Sequence, residues 1–215
     1  MKIASEYGSL PKNLGQLQVD CQEMMFYQYL PICMPQSVDC RMERRLDVFR
    51  ELVGKICCDF IAEYGLTRFN QSYVYLTAKR QWVSPGNNMN REGWHSDGFL
   101  TDDINYIWSD CLPTVFAEGT FQITPDDKIS MVEMAEQAKE RVHHTYPANS
   151  ILRLDQSCIH KCGDIDNGRM RTFVKVSFSH DKYDLVGNSH NYEFDYDWEM
   201  KARGESRNIP QSQVL

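Results

Sequence analysis

The residues with the clearest chemical meaning are His95 and Asp97, in the segment Trp94-His95-Ser96-Asp97-Gly98. On an extended segment, an imidazole and a carboxylate two positions apart point to the same side, because side chains alternate between the two faces of a strand. Such a pair can hold one metal ion from one direction. A third ligand must come from elsewhere, and a set of two His and one carboxylate leaves open positions suited to non-haem Fe(II) oxygen chemistry.

Two later residues extend this pattern. His160 stands 63 residues after Asp97 (160 − 97), beyond the buried-looking run Ile151–Leu154. Arg171 stands 11 residues after His160 (171 − 160), at the start of a run typical of a strand. The order His-x-Asp, a distant His on a later strand and an Arg opening a final strand resembles the Fe(II)/2-oxoglutarate-dependent oxygenase family. The resemblance covers residues 70–180.

The resemblance implies a mainly β fold, a double-stranded β-helix (jelly roll) of eight strands with an N-terminal helical segment backing one sheet. His95, Asp97 and His160 would be the metal ligands. The implied reaction couples oxidative decarboxylation of 2-oxoglutarate to succinate and CO₂ with oxidation, in the first place hydroxylation, of a substrate C–H bond. The implied cofactors are Fe(II), 2-oxoglutarate as cosubstrate and O₂, with ascorbate as a candidate reductant.

The far carboxylate of 2-oxoglutarate needs a fixed cation, and the planar guanidinium of Arg can bond both carboxylate oxygens at once. Arg171 is the expected anchor. Arg169 is the alternative, because residues two apart on a strand point to the same face. The family often carries a small hydroxyl residue two positions after the Arg, but this chain has Phe173 there. The second contact to this carboxylate is therefore open. Tyr75 is the candidate for it, and its alternative role is that of a core aromatic.

Trp94 directly precedes the first expected metal ligand. It is a candidate substrate-binding residue that would wall the pocket. The alternative is that its indole fills part of the core. These two roles have equal support from the sequence.

The chain of 215 residues is expected to form one oxygenase domain. The clearest helix follows from apolar residues recurring every three or four positions, and Gly65 is expected to end it. A second, short helix is expected near residues 128–140. The end beyond Gly204 is nearly all polar and is expected to be mobile. The expected order is an irregular N-terminal segment (residues 1–36), a helix (37–65), the jelly-roll core (70–180) and a C-terminal tail (181–215).

Composition limits the partners. The net charge of −7, from 23 basic and 30 acidic residues, disfavours extended nucleic acid as a ligand. A small-molecule or nucleoside- or nucleotide-like substrate is expected, and a protein substrate remains open.

No apolar run approaches the roughly 20 residues of a membrane span, and the start lacks the apolar core of a signal peptide. A cytoplasmic location is therefore expected, with the eight cysteines reduced. The oligomeric state is not specified.

Two other classes of protein fit parts of the pattern. One is a cupin-like metalloenzyme that uses iron, manganese or zinc without 2-oxoglutarate. In that case substitution of Arg171 would leave activity largely intact. The other is a non-catalytic jelly-roll binding protein, which would release no succinate. A zinc site formed by Cys158, His160 and Cys162 is a weaker alternative, because it leaves His95 and Asp97 unexplained.

Overall fold

The structure, a computed structural model, describes residues 6–37, 39–88 and 90–203. These residues form ten β-strands and three α-helices, and a short 3₁₀ helix (Arg44–Phe49) precedes the first α-helix. The helices are α1 (Arg50–Tyr64), α2 (Leu66–Gln71) and α3 (Asp127–Ala138). The strands are β1 (Lys12–Gln16), β2 (Met25–Cys33), β3 (Tyr73–Val83), β4 (His95–Ser96), β5 (Ile104–Ser109), β6 (Val115–Glu118), β7 (Val142–Thr145), β8 (Ser150–Leu154), β9 (Ile159–Lys161) and β10 (Arg169–Ser179).

The strands form two antiparallel sheets. The large sheet has six strands in the order β1-β8-β5-β10-β3-β2, and the small sheet has four in the order β4-β9-β6-β7. Strands β3 to β10 pair as nested partners, β3 with β10, β4 with β9, β5 with β8 and β6 with β7. A long hairpin folded over in this way is a jelly roll of eight strands. The predicted mainly β fold, with a jelly-roll core and a helix backing one sheet, is confirmed.

The long pair β3 and β10 determines which side chains enter the space between the sheets. The two strands pair residue by residue from Arg169 opposite Val83 to Ser179 opposite Tyr73. Because side chains alternate along a strand, every second residue faces the small sheet. On β10 the residues of this inner face are Arg171, Phe173, Lys175 and Ser177. The outer face carries Val174, Val176 and Phe178, which belong to the main apolar core.

Helix α1 covers the outer face of the large sheet. The apolar stripe predicted from the sequence is buried there at Leu52, Val53, Ile56 and Phe60 and partly buried at Ile61. The ring of Phe60 stacks on Phe178 with 3.9 Å between ring centroids. The helix ends at Gly65, whose φ of +86° is a conformation that glycine adopts without strain. Its start is later than the predicted residue 37. The backbone N–H of Arg41 instead donates to the carbonyl of Ile32, so this segment runs beside β2.

The N-terminal segment is more regular than predicted. Residues 12–16 and 25–33 are strands that form the two edges of the large sheet. The expectation of an irregular segment over 1–36 is wrong at these positions. It rested partly on Pro31, but a proline is tolerated in an edge strand, where no neighbour requires its missing N–H. The pairing of β2 with β3 also shifts register around Tyr29, which has a φ of +48°.

Helix α3, close to the predicted range 128–140, packs on the outer face of the small sheet. Asp126 caps its start, because its carboxylate accepts hydrogen bonds from the backbone N–H groups of Lys128 and Ile129, both at 2.9 Å. The helix buries Met134 and Ala138 against Trp94 and Ile159. This contact fixes the outer side of the sheet that carries His95 and His160.

Replacing Asp126 with alanine is expected to lower the free energy of unfolding by about 1 kcal/mol, since two N–H groups lose their acceptor. The Asp126→Asn variant should keep most of the stability, because the amide oxygen caps equally well. Urea titrations of both variants measure this. Equal losses in the two variants would show that the cap contributes through its charge and not through its hydrogen bonds.

The C-terminal tail is packed over part of its length. The buried side chain of Asn191 donates to the carbonyls of Pro31 and Arg41, and Trp198 contacts Tyr73. The expected mobility beyond Gly204 concerns residues outside the described part of the chain. No helix in the described ranges is long and apolar enough to cross a membrane.

Candidate metal centre

His95 and His160 stand directly opposite each other in the small sheet. Each lies on the face turned towards the large sheet, and the pairing of β4 with β9 places them in register. Their rings lie 4.5 Å apart between centroids at an angle of 55°. Both residues are at least 93% buried. Two residues 65 positions apart in the sequence (160 − 95) thus present their imidazoles to one small space.

The tautomer of each imidazole follows from its hydrogen bond to the backbone. His95 Nδ1 lies 2.9 Å from the carbonyl of Gly93, and His160 Nδ1 lies 3.0 Å from the carbonyl of Cys158. A carbonyl can only accept, so Nδ1 carries the proton in both rings. This leaves Nε2 with a lone pair, as a metal ligand requires.

Asp97 joins the two histidines at the start of the turn after β4. One oxygen of its carboxylate, Oδ2, lies 3.7 Å from Nε2 of His160. One ligand atom from each of His95, Asp97 and His160 can be chosen so that all three lie within 4.8 Å of one another. No other group of three such residues in the described ranges meets this spacing. Gly98 follows with a φ of +73°, which turns the chain away immediately after the carboxylate.

Burial and nearby charges hold these groups in the protonation states that bind metals. Burial, together with the neighbouring His160, lowers the pKa of His95 to about 3. Burial alone would raise the pKa of Asp97, but the positive charge of Lys175 holds this pKa well below its usual value. At neutral pH the centre therefore offers a neutral imidazole at His95 and an ionised carboxylate at Asp97.

Lys175 enters the same space from the inner face of β10. Its ammonium group lies 3.1 Å from Asp97 Oδ2 and 3.2 Å from the hydroxyl of Tyr29. The side chain is 10% exposed. Burial would lower the pKa of Lys175, but Asp97 and Tyr29 raise it. The ammonium thus compensates the charge of the carboxylate at Oδ2, the oxygen that also lies 3.7 Å from Nε2 of His160.

This donor set fits Fe(II). Two nitrogen donors and one carboxylate on one side of the ion, with the remaining positions open, are the ligands of non-haem iron oxygenases. The fit rests on the residue types, the fixed Nδ1 hydrogen bonds and the short distances between ligand atoms. The roles of His95, Asp97 and His160 as ligands remain a prediction that this arrangement supports.

Arg171 lies on the same face of β10 as Lys175, four residues earlier, which corresponds to about 13 Å along a strand. Its guanidinium is buried and donates to the carbonyls of Cys111 and Leu112, both at 3.2 Å. It also lines a cleft of about 190 Å³ beside Phe173. Arg169, the alternative anchor, is exposed to solvent at the start of the strand.

The structure places Tyr75 far from Arg171. Tyr75 faces Ser177 in the register, whereas Arg171 faces Gln81, six residues further along β3 or about 20 Å. The Tyr75 hydroxyl donates to the carbonyl of Asp181, and its ring stacks on Tyr183 at 4.1 Å between centroids. Tyr75 therefore occupies the opposite end of the cavity from Arg171, and the structure does not bring these two predicted cosubstrate residues together.

Trp94 points away from His95, towards the outer face of the small sheet. It is 8% exposed and packs with Ala117, Ile159 and Met134 beneath α3. This is the core role that the sequence left open, and the structure does not place the indole in the space between the sheets. Cys158 and Cys162 also do not form a cluster with His160: the thiol of Cys158 contacts Ser9, and that of Cys162 the carbonyl of Arg91.

Two residues of the centre were missed by the sequence analysis, Lys175 and Tyr29. Lys175 points to the same face of β10 as Arg171, which is a usable signal, because a lysine on the inner face of a buried strand requires a partner. Tyr29 carried no such signal, since it lies in the segment that was taken to be irregular. Lys79, on the inner face of β3, could belong to a local basic groove by its sequence but was not among the predicted site residues.

Comparison with known proteins gives the following findings. No family model matches the chain, and no curated protein matches it. Among solved structures, it is similar to AviO1 from Streptomyces viridochromogenes Tue57, with 16% identity over 64% of this chain and 61% of that chain and a TM-score of 0.39. It is also similar to the non-heme alpha ketoglutarate dependent epimerase SnoN from nogalamycin biosynthesis, with 12% identity over 74% and 71% of the two chains and a TM-score of 0.40.

A third similar structure is EvdO2 from Micromonospora carbonacea var. aurantiaca complexed with 2-oxoglutarate, with 12% identity, coverage of 72% and 76% and a TM-score of 0.36. The match spans less than two thirds of the AviO1 chain. In a further similar structure, EvdMO1, it spans 32% of that chain. The fold is assigned from the strand pairing of this chain itself. The chain is a jelly-roll protein with a His-Asp-His group between its sheets, and in both respects it resembles the Fe(II)/2-oxoglutarate-dependent oxygenases.

Proposed function

We propose that this protein is an Fe(II)- and 2-oxoglutarate-dependent dioxygenase. The observation that carries the proposal is the convergence of His95, Asp97 and His160 between the sheets, with both Nδ1 atoms held by carbonyls and the carboxylate kept ionised. When bound, iron and 2-oxoglutarate would supply the oxidative chemistry, with O₂ as oxidant and release of succinate and CO₂. The proposed outcome is hydroxylation of a C–H bond.

The residues of the chain have distinct tasks in this proposal. The two imidazoles and the carboxylate hold the metal, and Lys175 keeps the carboxylate in place through its oxygen Oδ2. Arg171 holds the far carboxylate of 2-oxoglutarate, because its guanidinium is fixed by two backbone carbonyls and lines the cleft beside Phe173.

The proposed substrate is a small molecule or a nucleoside- or nucleotide-like compound, and the proposed location is the cytoplasm. The net charge of −7 argues against a long nucleic acid. A protein substrate remains an open alternative.

The proposal is tested by titrating the apo-protein with Fe(II) and then 2-oxoglutarate without oxygen. The expected result is a weak visible charge-transfer band from the chelate. Succinate release from 2-oxoglutarate under air then allows candidate substrates to be screened. Tight zinc binding, or no metal binding, with no band would contradict the proposed function.

The anchoring role of Arg171 has a matched control within the same strand. The Arg171→Met variant is expected to bind 2-oxoglutarate about 10- to 100-fold more weakly, since a charge-assisted bidentate contact is lost. The Arg169→Met variant should bind it with unchanged affinity, because Arg169 is exposed and remote from the cleft. Calorimetry on the metal-loaded, anaerobic protein gives both values. If the two variants behave alike, Arg171 is not the anchor, and a cupin-like enzyme without 2-oxoglutarate is favoured.

One observation favours a second candidate, a jelly-roll binding protein without metal. The ammonium of Lys175 already gives Asp97 a positive partner at 3.1 Å, so the carboxylate is compensated without an ion. Under this alternative the wild-type protein would bind no Fe(II), and His95→Ala would leave ligand binding intact.

A further inference from the structure

The cleft beside Arg171 has a strongly polar lining on one side. It is formed by the inner face of β3, the start of β10 and the loop after β3, and its empty space is about 190 Å³. The polar side chains that line it are Lys79, Gln81, Asn88, Asn90 and Arg171. Two of them are cations, and none is a carboxylate. A cleft with this lining is suited to an anion.

The strand register places Lys79 and Arg171 on the same wall. Arg171 pairs with Gln81 and Phe173 with Lys79, so Lys79 and Arg171 are diagonal neighbours on one face of an antiparallel pair. Diagonal neighbours have Cα atoms about 7–8 Å apart, within reach of two long side chains that meet at one ligand. Phe173, directly opposite Lys79, stands where the family often carries a hydroxyl residue.

The ammonium of Lys79 is held in position over the cleft. It lies 3.4 Å from Oδ1 of Asn90 and 5.1 Å from the centre of the Phe26 ring. Burial, and then the like charges of Lys175 and Arg171, lower the pKa of Lys79 to about 8. An anion bound between Lys79 and Arg171 would offset the repulsion between these two cations.

Gln81 adds an independent observation. Its Oε1 atom is buried and accepts no hydrogen bond from the described part of the chain. A buried polar atom without a partner, in a side chain that lines a cleft, is frequently completed by a ligand or by water. Rotation of this amide by half a turn would direct its N–H groups at an anion, since the two orientations of an amide have nearly the same shape.

We propose that Lys79 and Arg171 together bind the far carboxylate of 2-oxoglutarate, with Lys79 as the second contact that Phe173 cannot supply. This inference rests on the proposed function and identifies a further binding residue for the same reaction. Arg171 provides the planar fork, and Lys79 provides a point charge from the neighbouring strand. The same lining could serve a carboxylate or phosphate of the substrate, and the experiment separates these two sources.

The experiment measures 2-oxoglutarate binding by calorimetry on the Fe(II)-loaded protein without oxygen. The Lys79→Met variant is expected to bind 2-oxoglutarate about 10- to 100-fold more weakly at pH 7. The Lys79→Arg variant should retain most of the affinity. The Lys12→Met variant, in the exposed edge strand β1, should match the wild type.

Loss of folding does not explain a weak Lys79→Met variant, because removal of a buried cation among other cations should leave the protein at least as stable. Thermal melts and Fe(II) affinity of this variant are expected to match the wild type. Lys79 contacts none of the three expected metal ligands in the described structure, so a change in metal binding would point to a different role.

The pH dependence provides a second readout. Lys79 has a depressed pKa of about 8, so its charge and its contribution to anion binding are present below this pH and are lost above it. Affinity for 2-oxoglutarate should fall between pH 7 and 9 in the wild type but not in Lys79→Arg, whose guanidinium stays charged. Burial raises the pKa of the nearby Cys162 thiol, so this group stays neutral over most of that range. The groups that face Lys79 are Phe26, Asn90, Cys162, Arg171, Phe173 and Lys175.

The outcomes distinguish the inference from the proposed function. If the metal-loaded wild type does not bind 2-oxoglutarate, both are wrong. If the wild type binds it and Lys79→Met binds it equally well, the inference alone is wrong. If Lys79→Met changes only the KM for an anionic substrate, the cleft belongs to the substrate, and the inference is again overturned.

Discussion

Replacing His160 with alanine is expected to abolish Fe(II) binding, the 2-oxoglutarate chelate band and succinate release together. His160 offers Nε2 to the metal, and its Nδ1 is fixed by the carbonyl of Cys158. Loss of a residue that only supports a ligand costs about 10- to 100-fold in metal affinity, so loss of a ligand itself should cost more. His95→Ala should have the same effect, because the two imidazoles are equivalent partners across β4 and β9.

The measurement combines anaerobic Fe(II) titration with the chelate spectrum. His190→Ala is the control, since His190 lies in the exposed tail and stacks on Tyr196 far along the chain from the three ligands. It should bind Fe(II) like the wild type. A chelate band of normal strength in His160→Ala would rule out the proposed ligand set.

Replacing Lys175 with methionine is expected to destabilise the metal-free protein by about 3–5 kcal/mol, the typical cost of leaving a buried charge without its partner. The ammonium of Lys175 lies 3.1 Å from Asp97, and the two side chains are 10% and 21% exposed. A divalent ion beside Asp97 would replace the missing positive charge. Metal should therefore stabilise Lys175→Met more than it stabilises the wild type, and its affinity should rise.

Thermal melts with and without Mn(II), which does not turn over under air as readily as Fe(II), measure both effects. The double variant Asp97→Asn/Lys175→Met supplies the control, because it removes both charges and should be less destabilised than Lys175→Met alone. Equal stabilities of the metal-free wild type and Lys175→Met would show that this ion pair contributes nothing to the apo state.

The sequence alone determined which residues are candidates for the metal site. His95 and Asp97 were identified because alternation along an extended segment is a local property, and it placed both side chains on one side whatever the rest of the fold. His160 and Arg171 followed from their order and from the family resemblance. The helix over residues 50–64 was also readable, since its apolar stripe is a pattern within one segment.

The ends of helices and strands were harder to predict from the sequence where pairing with a neighbouring strand competes with the local helix preference. Residues 39–43 precede the helix instead of starting it, because Arg41 donates its N–H to Ile32. Strand β2 was missed because Pro31 lies within it and because its alternation is interrupted at Tyr29, which has a φ of +48°. Both features are tolerated at the edge of a sheet, and edge position is a property of the whole fold.

Only the tertiary structure decided the partners of the site. Lys175 meets Asp97 across 78 residues and Tyr29 across 146, and Lys79 meets Arg171 through the register of β3 with β10. The same register separates Tyr75 from Arg171. Because side chains alternate along a strand, the sequence predicts which face of the sheet a side chain occupies. Its neighbour on that face depends on how the two strands are aligned. That alignment is set by the packing of the complete sheets.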